Sequence, residues 1–134
     1  MRIVILVARI LLGLVFLLFG LNGFLHFLPM GPLPPGPALQ FVGAIAESHY
    51  ALVVFAIQVV GAVLLLVNQY VPLALTILAP VIVNIILFHA FMAPLGLPLA
   101  AVTTILWLVV AYGYRPVFAV LLQRNAAGYK PPIA

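Results

Sequence analysis

Residues 71–91 read VPLALTILAPVIVNIILFHAF, a run with no charged side chain and only Asn84, His89 and Thr76 as polar ones. A helix needs about 20 predominantly apolar residues to cross the hydrocarbon of a bilayer. This stretch meets that length, and Pro72 sits where a first-turn proline is tolerated. Working outward, three more apolar runs have the same character. The first covers about 3–28, interrupted only by Arg9, Asn22 and His26, and stops at Pro29. Another covers about 51–67 and stops at Asn68-Gln69-Tyr70, and the last covers about 99–114, opened by Pro98 and closed by Arg115-Pro116. The reading is all-α: a bundle of four transmembrane helices in one integral membrane domain, 1–134.

Composition leaves little room for another class. Hydrophobic residues make up 68% of the 134 and charged ones 4%, whereas a globular surface needs about a quarter of its residues charged. Absence of cysteine removes thiolate nucleophiles, disulfide exchange, c-type haem attachment and iron–sulfur ligation by this chain. The net charge of +4 comes from five basic residues: Arg2, Arg9, Arg115, Arg124 and Lys130. They cluster toward the two ends, and no basic stripe interleaved with aromatics exists for a nucleic-acid backbone to follow. Lys and Arg flanking apolar spans mark the cytoplasmic side, so both termini are expected there, with 115–134 as a cytoplasmic tail. A cleavable leader is the rival reading of the first span, but its apolar run is too long and lacks a small-x-small exit before Pro29.

The loop between the first two spans opens with Pro29, Pro32, Pro34, Pro35 and Pro37, a stiff extended segment. Leu39, Val42 and Ile45 then recur at helical spacing, predicting a short helix over about 38–48 at the outer surface or tucked into the bundle. A weak internal repeat pairs Asn22, His26 and Met30-Gly31-Pro32-Leu33 with Asn84, His89 and Met92-Ala93-Pro94-Leu95. Duplication would relate two helical hairpins by an axis along the membrane normal.

Polar groups within the spans crowd toward the outer half. At 1.5 Å of rise per residue, Asn22, Gln58 and Asn84 each lie roughly 10 Å from the outer end of their spans, and Thr103 and Thr104 roughly 6 to 8 Å. Above that layer come His26 and His89, with Glu47 and His49 in or near the loop helix. Unpaired amides in hydrocarbon cost several kcal/mol, so Asn22, Gln58 and Asn84 are expected to face the interior. Two readings stay open. The amides are interhelical glue, or they form the floor of an outward-facing pocket with the histidines at its mouth. On the second reading Asn22, His26, Gln58, Asn84 and His89 bind the ligand, the amides donating N–H to a carbonyl and the imidazoles exchanging protons with outer water. Three histidines and one glutamate also raise a metal reading, but neither H-x3-H nor H-E-x-x-H is present, and no metal is assigned. Arg9 either snorkels to the cytoplasmic surface or meets an anionic head group there.

Ala8-Arg9-Ile10-Leu11-Leu12-Gly13, Phe19-Gly20-Leu21-Asn22-Gly23, the Phe-Leu-Pro run ending at Pro29, and Val71-Pro72-Leu73-Ala74-Leu75 resemble the DoxX family of small four-helix bacterial membrane proteins. So does Ala79-Pro80-Val81-Ile82-Val83-Asn84 leading to Phe88-His89. The resemblance implies the bacterial cytoplasmic membrane, a place beside membrane oxidoreductases such as thiosulfate:quinone oxidoreductase, and quinone as the cofactor to test. Family members commonly carry a glutamate where this chain has Gln58, which puts carboxylate-based proton transfer in doubt here. The expected partners are membrane lipid, a soluble or membrane oxidoreductase, and a second copy of the chain. A small transporter or lipid-binding module without redox chemistry, and a membrane scaffold, are the alternatives, and whether any reaction is catalysed stays open. The orientation has a direct check: a reporter fused at Ala134 should be active on the cytoplasmic side and a tag inserted in 29–50 accessible from outside, and the reverse pattern refutes it.

Overall fold

The computed structural model describes residues 1–125, and every regular element among them is helical. Helix α1 is Arg2–Leu25, α2 Pro37–Glu47, α3 Tyr50–Leu66, α4 Val71–Phe91, α5 Leu97–Gly113 and α6 Arg115–Leu121, with a single 3-10 turn at Pro94–Gly96 before α5. Three stretches are long and apolar enough to cross a membrane: Arg2–Leu25, Val71–Phe91 and Pro94–Gly113. The 17 residues of α3 add a fourth if α3 is joined to α2, from which it bends by 84°.

Punctuation by single residues explains the boundaries. The first helix ends at Leu25 rather than near 28 because His26 turns left-handed (φ 51°) and its N–H closes on the Asn22 carbonyl. At the end of α3, Asn68 is also left-handed (φ 58°), and Gln69 and Asn68 donate to the carbonyls of Leu64 and Leu65. That is the paired capping pattern in which orphan carbonyls are taken up by the two residues past the cap. Pro72 and Pro98 lie in the first turns of α4 and α5, where no intrahelical N–H is needed. Residues 115–121, read from sequence as the start of a tail, instead form α6: Pro116 occupies its first turn, and Phe118 packs against the core. Residues 126–134 of that tail lie outside the described residues.

Helix α1 packs on α3 and α5, and α4 on the same two neighbours. Leu12, Phe16, Leu65, Leu75, Leu78 and Val110 are fully enclosed between them. Small residues bring the backbones together. A Cβ at Gly20 would lie 3.1 Å from the Gln58 Cβ and 3.2 Å from the Val59 nitrogen, one at Gly13 2.8 Å from Leu66, and one at Gly61 2.7 Å from Leu78. The α2 helix lies across the end of α3 and is exposed along most of its length, with Ala38 buried. Phe41 of α2 reaches Phe88 of α4, ring centroids 5.7 Å apart.

Because a Cβ at Gly20 would meet the Val59 Cγ2 methyl at 3.0 Å and the Val59 nitrogen at 3.2 Å, neither of them a flexible side-chain end, Gly20→Leu should cost about 1–3 kcal/mol of overpacking strain. Thermal unfolding in detergent measures it. An unchanged midpoint would contradict the close α1–α3 approach.

Candidate functional site

Two of the amides read from sequence as one inward layer do point inward. Asn22 on α1 is 8% exposed and Gln58 on α3 is 6% exposed. They lie at neighbouring levels, since Gly20, half a turn from Asn22, rests on Gln58. Their bonding differs. The Asn22 Oδ1 accepts the Leu28 N–H at 2.7 Å, so this side chain secures the chain as it leaves α1. Gln58 has no side-chain hydrogen bond to any described residue, and its unpaired amide atoms keep a small accessible surface rather than being sealed.

Asn84 corrects the sequence reading. It lies on the exposed side of α4, where its Nδ2 donates to the Pro80 carbonyl one turn back at 3.1 Å. The inward face of α4 in this region is instead Val81 and Ile82. Thr103 completes the inward polar set from α5. Its hydroxyl donates to Leu99 O at 2.9 Å, and Thr104 does the same to Ala100 O at 2.8 Å, so both are satisfied within their own helix.

The histidines part company too. His26 is exposed at the end of α1, whereas His89 is half-buried on the last turn of α4. The His89 Nδ1 is 3.0 Å from the Ala93 carbonyl. A carbonyl only accepts, so that bond requires hydrogen on Nδ1 and leaves Nε2 as the free position. Gly96 provides the space: a Cβ there would come within 2.1 Å of the imidazole. Phe88 meets the ring edge-on at 5.1 Å. The two asparagines and two histidines of the repeat visible in sequence therefore sit in different environments. Among the described residues no three His, Asp or Glu side chains converge on a common point.

Arg9 and Trp107 carry cross-helix bonds that the sequence reading did not assign. Arg9, 7% exposed, neither snorkels outward nor lies on the surface; its Nη1 donates to the Leu65 carbonyl near the end of α3. The Trp107 Nε1 donates to Leu75 O at 3.0 Å and ties α5 to α4. A lone tryptophan in an apolar span is a signal that its N–H needs an acceptor, but spacing could not say which. A shallow groove of about 370 Å³ on the α1–α5 seam is lined by Met1, Val4, Ile105, Leu108, Val109 and Tyr112, at the opposite end from Asn22 and His89. No family model, characterised protein or solved structure matches the chain.

The two asparagines should answer differently to substitution. Asn22→Ala removes a partner for a backbone N–H and should cost about 1–2 kcal/mol, while Asn84→Leu should lie within about 0.5 kcal/mol of the parent. Parallel thermal denaturation decides, and equal losses at both sites would contradict the outward placement of Asn84.

Proposed function

We propose that the chain is a DoxX-like integral membrane protein crossing the bacterial cytoplasmic membrane four times, with both termini cytoplasmic. In this reading it binds quinone or a lipid-like ligand in its outer half and serves beside a membrane oxidoreductase. The observation that carries it is Gln58: a carboxamide 6% exposed, deep in an apolar helix, with no hydrogen bond to a described residue. An amide left so in hydrocarbon is costly, and the carbonyl oxygen of a quinone or ester would take up its N–H. Phe55, one turn from Gln58 and edge-on to Phe24 at 6.3 Å, supplies aromatic wall of the kind that lines cofactor pockets. Asn22 retains amide N–H groups with no partner among the described residues. His89 lies apart from Asn22 and Gln58, at the end of α4 against Ala93 and Gly96, and His26 and Asn84 are exposed. A bound quinone would supply the redox chemistry that a chain without cysteine cannot draw from thiols.

A scaffold role is the second reading, favoured by the fully local bonding of Asn84, Thr103 and Thr104 and by the capping role of Asn22. Purification in mild detergent followed by lipid extraction separates the readings. Quinone enriched over the bulk membrane and lost in Gln58→Leu supports the proposal. Another lipid enriched in the same Gln58-dependent way points to a binding or transport module without redox chemistry. No enrichment at all leaves the scaffold.

A further inference from the structure

A shallow groove of about 370 Å³ runs along the seam between α1 and α5, with Ile105, Leu108 and Tyr112 on one wall and Met1 and Val4 on the other. From Ile105 to Tyr112 is roughly 10 Å of rise along α5. Both walls belong to stretches long and apolar enough to cross a membrane. Val4, Ile105 and Leu108 are each more than half exposed, so in a bilayer the groove opens onto hydrocarbon. The helices meet beside it, with Ile5 seated on Gly113.

One end of the groove is charged. The Arg115 guanidinium carbon sits 4.3 Å from the centroid of the Tyr112 ring, and its Nη1 donates to the Tyr112 carbonyl at 3.0 Å. The ring face and the carbonyl thus hold an exposed cation at the rim, and since both are uncharged they orient the charge without neutralising it. Arg2 opens α1 beside Met1 and Arg124 follows α6, both exposed. The chain's only acidic side chain, Glu47, closes α2 at the opposite end of the bundle. Tyrosine at the end of a span also settles at head-group level. Groove and rim therefore match the two depths of a phospholipid, apolar below and cationic above.

Charge decides which occupant fits. A second copy in the same membrane orientation would be related by an axis along the membrane normal and would bring like ends together. Arg2 and Arg115 would then approach their counterparts with no acidic side chain at that end between them, a repulsive arrangement. A lipid of net negative charge meets the opposite condition. We propose that the groove holds an acyl chain of an anionic phospholipid whose phosphate pairs with Arg115. Cations near a bilayer surface attract anionic headgroups, and a guanidinium matches phosphate oxygens with its planar fork. The site is independent of the Gln58 ligand, which lies on the α1–α3 seam.

Phosphatidylglycerol and phosphatidylcholine with the same acyl chains, added to the purified full chain in mild detergent, test the site through the rise in unfolding midpoint that each produces. Phosphatidylglycerol should half-saturate at a roughly fivefold lower concentration. Arg115→Gln should bring the two lipids to the same half-saturation, whereas Arg124→Gln should keep the difference. High salt, which screens an exposed cation, should narrow the difference in the parent and needs no variant. Leu108→Trp, which fills the groove with a larger side chain, should weaken both lipids several-fold. The proposal is overturned if the parent does not distinguish the lipids, or if Arg115→Gln or high salt leaves the preference intact. It is overturned equally if Arg124→Gln loses as much as Arg115→Gln, since the positive end as a whole then attracts the lipid. A parent mass of two chains that falls to one in Leu108→Trp would assign the groove to a second copy instead.

Discussion

Close approach of α1 to α3 along Gly13, Gly20 and Gly23 sets the register on which the rest of the structure depends. Dispersion contacts fall off steeply with distance, and in hydrocarbon there is no hydrophobic gain from bringing one apolar helix onto another. Side chains seated in the space that the glycines leave are therefore the stronger determinant of how the helices align. With Gly20 on Gln58 and Val59, Gly23 on Phe55 and Gly13 on Leu66, the placement of each polar group on α3 follows. Gln58 falls beside Asn22, and the end of α3 falls over Arg9. A one-turn slip would set Gln58 against a different face of α1 and withdraw the Leu65 carbonyl from the guanidinium.

Three of the elements were legible in the sequence because their boundaries depend on local chemistry, whereas the left-handed turn at His26 that ends α1 early and the helix at Arg115–Leu121 were not. Proline at a first helical turn, a polar triplet after an apolar run and the spacing of Leu39, Val42 and Ile45 each act within a few residues, and the corresponding elements lie at Val71–Phe91, Tyr50–Leu66 and Pro37–Glu47. Helix rotation was not legible. The spans α3, α4 and α5 are apolar on every side, so their sequences carry no periodic contrast to mark an inner face. Asn84 was placed inward on the argument that an amide avoids hydrocarbon, but a turn-back bond to Pro80 O meets part of that need without an interhelical partner. No local signal marked it, since an amide one turn beyond any helical residue can reach that residue's carbonyl.

Arg9 shows the same limit in electrostatic form. Sequence places a cation about two turns into a span, and the general preference is for a long side chain to reach back to the interface. That preference assumes lipid around the helix. Here the neighbouring helix ends at the same depth, and its terminal carbonyls offer a nearer negative site than the surface does. The termination of α3 at Asn68 therefore decides the direction of Arg9, and those residues lie 59 positions apart in the chain. No reading confined to one span could join them.

Satisfaction of polar groups distinguishes a structural residue from one left available for binding. Asn22, Thr103, Thr104, Asn84 and Trp107 each spend a donor or acceptor on a backbone group, and each removes an unmet need that hydrocarbon would not fill. Gln58 differs in that its amide meets no described partner, and Arg9 in that one bond leaves most of its donors open. Gln58 lies midway along α3 and Arg9 beside the last turn of α3, both on the α1–α3 seam. Their separation argues against a single continuous binding path through the helices: between them the seam is closed by Leu12, Phe16, Ala62 and Leu65, all buried, with no unpaired polar group among them. Any path along the seam from Gln58 to Arg9 would require those side chains to part.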